Sequence, residues 1–103
     1  GVAVDGRAFH TSEGKPGPWH ADVVKHEWGD YPFEARSRHW QGIGWFRLQL
    51  RLDGSVADVK VMESTGHSML DQSAIAAFHH WQFKPGKWRA VDEPMFFKMQ
   101  RPR

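Results

Sequence analysis

Seven histidines are the residues of this chain best suited to bind a metal ion or to exchange a proton near neutral pH. They lie at positions 10, 20, 26, 39, 67, 79 and 80. His79 and His80 are adjacent on a predicted helix, so their side chains point about 100° apart and cannot share one metal. His26-Glu27 begins like a zinc-protease motif, but Asp30 stands where that motif requires its second histidine. The spacing indicates solvated side chains with pH-dependent charge, and we expect no metal site.

The other reactive side chains also lack a catalytic arrangement. The chain contains no cysteine. Ser64 and Ser68 lack the context of a nucleophile elbow, and no phosphate-binding glycine loop follows a predicted strand. Asp53 and Asp71 are explained by a turn and a helix cap. We therefore expect no catalytic residues, no cofactor and no enzymatic activity.

The composition is that of one folded domain. A chain of 103 residues has room for one hydrophobic core, and six Trp within 40% hydrophobic content are incompatible with general disorder. The 14 basic residues are interspersed with 12 acidic ones, so no positive stripe is available for nucleic acid. No run of about 18 apolar residues is present to span a membrane. Because the chain starts with Gly-Val and not with Met, we expect a fragment whose targeting segment lies outside it.

One amphipathic helix is predicted within residues 63–85. Ser68 is its predicted N-cap, with Asp71 three residues later as a variant capping box. Lys84-Pro85-Gly86 ends the segment, and Trp81 and Phe83 are expected to lock the end of the helix into the core. Apolar residues recur at helical spacing and form one stripe, which must lie on a flat apolar surface. The stripe consists of Leu70, Ala74, Ala77, Phe78 and Trp81.

Residues 43–62 are predicted to form a β-hairpin. Apolar and polar residues alternate along both halves, and Asp53-Gly54 between them is typical of a two-residue turn. A two-residue loop, or a four-residue loop of the same parity, brings the two apolar faces together, whereas a three-residue loop would turn one strand over. The apolar positions are Phe46, Leu48, Leu50 and Leu52 in the first strand and Ala57, Val59 and Val61 in the second.

The predicted register of the hairpin also pairs two apolar residues on its outer face. A two-residue loop sets Leu50 opposite Ala57 on the buried face, and it sets Trp45 opposite Met62 on the other. Trp45 and Met62 are therefore candidate residues for self-association. The alternative is that they form an exposed pair without a partner.

Residues 93–101 predict a third strand. Its Pro94 favours an edge position, because a central strand cannot spare that hydrogen-bond donor. The strand directions then require an antiparallel sheet in the order second, first, third (2-1-3), with helices on one face, which is a split βαβ unit in an α+β fold. The third strand would keep one row of unpaired backbone groups. Its two faces carry Met95, Phe97 and Met99, and Phe96, Lys98 and Gln100.

The N-terminal part of the chain predicts little regular structure. Residues 1–29 are interpreted as a linker, because glycines and prolines interrupt any periodicity between positions 11 and 18. A short helix at residues 19–28 would place Val23, Val24 and Trp28 on one side. Residues 30–103 then form the domain, with Pro32 at the first position of a helix and Ala35 facing the core.

From Tyr31 onward the order of these signals resembles the C-terminal domain of TonB-type energy transducers. The matching pieces are YPFEAR (31–36), LDGSVADVKV (52–61), STG (64–66), LDQSAIAAFHHWQFKP (70–85) and the closing strand with Met95 and Phe97. The resemblance implies a periplasmic domain that belongs to a protein anchored in the inner membrane by a segment outside this chain. It implies binding of the TonB box, a short peptide of outer-membrane receptors, and transmission of force from inner-membrane motor proteins.

The predicted binding site follows from the open edge of the third strand together with the resemblance. In strand addition, main-chain pairing supplies most of the attraction, and alternate side chains select the peptide. One alternative is a homodimeric structural domain in which two third strands pair, without a role in transport. Another is peptide binding without force transmission. The predicted partner-binding residues are Met95, Phe96, Phe97, Lys98, Met99 and Gln100.

Overall fold

An antiparallel sheet with one long helix packed against it forms the framework of the chain. The computed structural model describes residues 1–9 and 17–99. In the described residues, no helix is long and apolar enough to cross a membrane. The elements, in chain order, are β1 (Val2–Ala3), a 3-10 helix (Pro18–Asp22), β2 (Val23–Lys25), α1 (Phe33–Ser37), β3 (Gly42–Leu50), β4 (Val56–Glu63), α2 (Ser68–Phe78), β5 (Gln82–Phe83) and β6 (Trp88–Phe97).

The main sheet has four strands in the order β1-β6-β3-β4, and all its pairs are antiparallel. The predicted α+β class is confirmed, and the order 2-1-3 describes the three long strands β4, β3 and β6. The added strand, β1, pairs with the outer edge of β6. A separate two-stranded sheet joins β2 to β5.

The predicted apolar stripe of α2 forms the centre of the core. Leu70, Ala74 and Phe78 are fully buried, and the Phe78 ring lies 5.3 Å from the Phe46 ring of β3, centroid to centroid. Trp81 follows the end of the helix and donates its indole N–H to the Glu27 carbonyl at 2.9 Å. The stripe therefore closes the core over β3 and ties it to the segment before α1.

The start of α2 differs from the predicted capping box. His67, and not Ser68, is the N-cap residue, and no side chain caps the helix. The Asp71 carboxylate instead accepts hydrogen bonds from the backbone N–H and the hydroxyl of Thr65, at 2.8 Å and 2.6 Å. It also accepts one from the Ser64 hydroxyl. Asp71 thus holds the loop that connects β4 to the helix.

The hairpin of β3 and β4 keeps the predicted register in its centre. Phe46 lies opposite Val61, and Leu48 lies opposite Val59, so the apolar residues share the face that α2 covers. Leu52, predicted on this buried face, is exposed in the turn.

The turn of the hairpin differs from the prediction. The Arg51 N–H donates to the Ser55 carbonyl at 2.9 Å, which closes a three-residue loop. A bulge in β4 then adds one residue and restores the parity of the strands. For this reason Val56 lies opposite Leu50, where the sequence predicted Ala57.

Strand β6 begins earlier than predicted. The sequence predicts a start at Glu93, whereas the strand begins at Trp88 and pairs with β3 along most of its length. Pro94 lies inside the strand, opposite Trp45. The face of β6 toward α2 is buried, and it carries Val91, Glu93, Met95 and Phe97.

The N-terminal part of the chain is more structured than the linker that was predicted. The helix predicted at residues 19–28 is wrong. The chain forms a short 3-10 helix at Pro18–Asp22 and then continues as strand β2. Val24 and Trp28 are exposed and do not form the buried side of a helix. Further along, Pro32 is the N-cap of α1, and Ala35 is fully buried as predicted.

Candidate functional site

The outer edge of β6 is the candidate site, and its first part is already occupied. β3 pairs with the inner edge of β6, so a further strand can reach only the outer edge. There β1 pairs with the beginning of β6, with Ala3 opposite Trp88 and Val2 opposite Ala90.

The middle of this edge is covered by the 3-10 helix. The Trp19 indole N–H donates to the Asp92 carbonyl at 3.1 Å, so that carbonyl points away from β3. One residue further, His20 Nδ1 lies 3.3 Å from both carboxylate oxygens of Glu93. Glu93 is only 3% exposed, and this burial raises its pKa, a shift that His20 partly opposes.

The last part of the edge, Pro94–Phe97, pairs with no segment of the described chain, and we refer to it as the free edge. Alternate residues of an antiparallel strand direct their N–H and C=O groups to the same side. Pro94 and Phe96 therefore share the outward direction of Asp92. The backbone groups of the residues between them point inward, toward β3. Met99 has this second parity, and its N–H donates to the Gln41 side chain at 3.0 Å. The free edge offers the Pro94 carbonyl and both backbone groups of Phe96.

The predicted partner-binding residues divide between the two faces of this edge. Met95 and Phe97 are buried, and the Phe97 ring packs against Tyr31, so only their backbone belongs to the edge. Phe96 is 52% exposed, and Lys98 is exposed just beyond the strand. Met99 is half-buried. Gln100 lies outside the described residues.

An exposed apolar pair flanks the free edge on the face away from α2. Ile43 lies directly opposite Phe96, and both side chains are about half exposed. Ile43 was not among the predicted site residues, although it has the same parity as Trp45 in β3, which predicts this face. The predicted pair of Trp45 and Met62 is displaced, because a bulge sets Glu63 opposite Trp45. Met62 remains 45% exposed, and self-association through these residues stays a prediction.

A buried carboxylate anchors the 3-10 helix beside this edge. Asp22 accepts a hydrogen bond from the Trp88 indole N–H at 2.7 Å and from Lys87 Nζ at 3.2 Å. The hydrogen bond from Trp88 is the main reason that its pKa lies below the ordinary value, and Lys87 and Lys84 act in the same direction. No motif around Asp22 indicated this role, because its partners lie far away in the chain.

We expect acid to release this anchor. The folded-state pKa of Asp22 lies below the ordinary value of 3.8. The ionised Asp22 side chain therefore stabilises the fold fully at a pH above this ordinary value, and this stabilisation is lost as the pH falls through the folded-state pKa. The Trp88 indole N–H resonance, followed by NMR from about pH 6 to about pH 2, should therefore shift and exchange faster in the acid range.

The matched control for this titration is Asp22→Asn, which keeps an acceptor oxygen but cannot ionise. In D22N the Trp88 indole resonance should lose its acid-range step. An identical step in both proteins would show that a different group controls this contact.

The geometry of the edge supports main-chain pairing as its chemistry. The outward backbone groups of Pro94 and Phe96 have no partner within the described residues, and the apolar pair beside them can cover an added strand. Among the described residues, no three His, Asp or Glu side chains converge in a way that could hold a metal ion.

Comparisons with known proteins agree with this architecture. The family described as the Gram-negative bacterial TonB protein C-terminal matches residues 29–99. Protein TonB2 of Pseudomonas aeruginosa is 36% identical over 58 residues, which make up 56% of this chain and 22% of that protein. The solution NMR structure of the Pseudomonas aeruginosa TonB C-terminal domain superposes with a TM-score of 0.68 at 28% identity, covering 79% of this chain and 88% of that one. The chain belongs to the family of TonB C-terminal domains.

Proposed function

We propose that this domain is the periplasmic, peptide-binding end of a TonB-type energy transducer and that it binds extended peptides by strand addition. The observation that carries the proposal is the free edge of β6. A peptide there would pair with the outward groups of Pro94 and Phe96 and extend the sheet beyond β6.

The side chains beside the free edge define the peptide that fits. On the face away from α2, the Ile43 and Phe96 pair would be continued by the peptide residue next to Phe96. An apolar side chain at that position would remove water from both half-exposed residues. Lys98 lies beyond the end of the strand and favours an acidic residue near that end of the peptide.

The proposed partner is the TonB box of an outer-membrane receptor. This assignment rests on membership of the family and on the match between an extended peptide and an open strand edge. Motor proteins of the inner membrane would act through parts of the protein outside this chain. In this scheme β6 passes the load to β3 through eight paired positions, and the domain acts as a mechanical adaptor without catalysis.

Amide chemical shifts test the docking position. A synthetic peptide carrying a receptor TonB box should perturb the Met95, Phe96, Phe97 and Lys98 amides most strongly. The Phe96 N–H should also exchange more slowly with solvent, because the peptide gives it a partner. Perturbations that centre on the exposed edge of β4 would contradict the proposed position.

Phe96→Pro should weaken binding of this peptide at least tenfold. Proline removes the outward N–H of residue 96, and β6 already accommodates a proline at Pro94 with the same parity. Phe96→Ala is the matched control, because it removes the ring and keeps the N–H. Isothermal titration of both variants separates the two contributions, and full affinity in F96P would exclude pairing at Phe96.

A homodimer is the second candidate function. The free edge could pair antiparallel with the same edge of another copy, and the exposed Ile43 and Phe96 would then meet their counterparts. Sedimentation at micromolar concentration distinguishes the candidates. A stable dimer that no TonB-box peptide opens would favour this second function over the first.

A further inference from the structure

The N-terminal segment competes for the same edge that the proposed function uses. Residues 1–9 form a tight hairpin, in which the Ala3 N–H donates to the Arg7 carbonyl at 2.9 Å and the Phe9 N–H donates to the Gly1 carbonyl at 2.8 Å. One side of this hairpin is β1, which adds to β6 as an outer strand. The chain thus already performs strand addition on itself.

Few backbone contacts hold this hairpin on the sheet. β1 makes two paired positions with β6, and the register between them is irregular. One more hydrogen bond, from the Val4 N–H to the Lys87 carbonyl at 3.0 Å, continues the pairing. Strands of this length are not stable without tertiary support.

The main support of the segment is a group of aromatic side chains. The Trp88 ring lies 5.2 Å from Phe9 and 5.7 Å from Trp19, both edge-on. Asp22 accepts the indole N–H of the same Trp88. The hairpin and the 3-10 helix, residues 1–9 and 17–22, therefore act together, and we refer to them as the N-terminal cap.

We propose that the whole outer edge of β6, Trp88–Phe97, is a single docking surface and that the N-terminal cap occupies its first half in cis. This inference rests on the proposed function. An extended peptide that is longer than the free edge displaces the cap and pairs along the full strand. The partner class is thus a peptide of about ten residues, which spans about 33 Å in extended form, against about 13 Å for the free edge.

Counting outward backbone groups shows why the longer peptide gains from this exchange. Because the backbone groups of β6 point alternately outward and inward, the free edge offers the Pro94 carbonyl and the N–H and carbonyl of Phe96. Trp88, Ala90 and Asp92 have the same parity, and the cap occupies that part of the edge. A peptide that replaces the cap can pair with both regions. Its apparent affinity equals its affinity for the open form multiplied by the fraction of molecules in which the cap is open.

A reversible disulfide tests this exchange in the intact chain. The chain has no cysteine, so Val2→Cys with Ala90→Cys introduces one unique pair at positions that lie directly opposite each other. Opposite residues of antiparallel strands are separated by about 4.5–5.5 Å between Cα atoms, which suits a disulfide. Oxidation would lock the cap, and reduction would free it. The cysteine-free chain, measured in both redox conditions, controls for the reagents.

The probes are synthetic peptides of five and ten residues, and the longer peptide extends the same receptor TonB box in the direction of the capped half of β6. We expect the reduced variant to bind the ten-residue peptide at least tenfold more tightly than the oxidised variant does. The five-residue peptide should bind equally in both states. Equal affinity of the longer peptide in both states would overturn the exchange and leave docking at the free edge intact. Absence of binding by either peptide in either state would overturn the docking itself, and the exchange with it.

A second variant gives the same test without a cross-link. Trp19→Phe removes the donor to the Asp92 carbonyl and keeps an aromatic ring against Trp88. This variant should bind the ten-residue peptide several-fold more tightly than the original chain, with no change for the five-residue peptide. An unchanged affinity for the longer peptide would contradict a role of the cap in binding.

Discussion

Replacing Phe78 by alanine should lower the free energy of unfolding by about 3 to 5 kcal/mol, the usual cost of deleting a buried phenylalanine ring. Phe78 is fully buried, and its ring lies 5.3 Å from Phe46 and 4.9 Å from Trp81. The substitution therefore leaves a cavity between the C-terminal end of α2, β3 and Trp81. A domain of this size is stable by about 5 to 15 kcal/mol, so the substitution removes a large fraction of the total stability.

Phe33→Ala is the matched control for this experiment, because it deletes the same ring from an exposed position. Phe33 is 76% exposed, and the Arg36 guanidinium lies 5.9 Å from the centre of its ring. Its loss should cost at most about 1 kcal/mol. Urea denaturation followed by tryptophan fluorescence measures both values. Equal costs for the two variants would mean that Phe78 does not support the core.

Gly54→Ala should lower the free energy of unfolding by about 2 to 5 kcal/mol. Two effects add. Gly54 has φ of +84°, a left-handed conformation that costs a residue with a Cβ about 1 to 2 kcal/mol. A Cβ there would also lie 2.0 Å from the Phe83 carbonyl oxygen, and relieving such overpacking costs about 1 to 3 kcal/mol. The hairpin turn must move away from β5, whose Phe83 N–H donates to the Gly54 carbonyl at 2.9 Å.

Gly66→Ala separates these two effects. Gly66 has φ of +95°, but a Cβ at this position meets no atom within 4 Å. Its cost should therefore be limited to the backbone conformation, about 1 to 2 kcal/mol. Thermal unfolding of both variants gives the comparison. If G54A is no less stable than G66A, the close approach of the turn to Phe83 is not a constraint on the fold.

The sequence predicted those parts of the fold that depend on periodicity. The spacing of Leu70, Ala74 and Phe78 predicted the buried side of α2, because neighbouring turns of a helix place these residues on one side. The alternation along β3 predicted that Phe46 and Leu48 would be buried. Strand order followed from strand directions and from the usual handedness of crossovers.

Predictions that depended on irregular backbone were less accurate. The turn of the hairpin contains three residues, and a bulge compensates for the third one. A bulge leaves no periodic signal in the sequence, and a two-residue loop preserves the parity of the strands without one, so the pattern predicted the shorter loop. The early start of β6 was also missed, because apolar and polar residues do not alternate strongly from Trp88 to Asp92. In this half of the strand, the N-terminal cap covers the face that points away from α2. Both faces of that half of the strand are therefore partly buried.

The candidate site was predictable in part. The parity of Phe96 and Lys98 followed from the alternation of the third strand. Pro94 predicted an edge strand, whereas β6 lies between β1 and β3, and within the described residues it lacks an outer neighbour only along Pro94–Phe97. The length of the free edge could not be predicted, because it depends on where β1 ends. Val2 and Ala90 lie at almost opposite ends of the chain, and no local pattern records that they pair.

For this protein, the amino-acid sequence alone determined the family resemblance, the α+β class and the buried sides of α2 and β3, and it predicted an open edge along the third strand, β6. These features arise from local propensity and side-chain periodicity. Only the tertiary structure decided that the N-terminal cap occupies the outer edge of the first half of that strand and that Asp22 anchors this cap through Trp88. It also decided that Pro94–Phe97 is the part of the edge that remains free. These features depend on contacts between residues that are distant in the sequence, and such contacts form only when the chain folds.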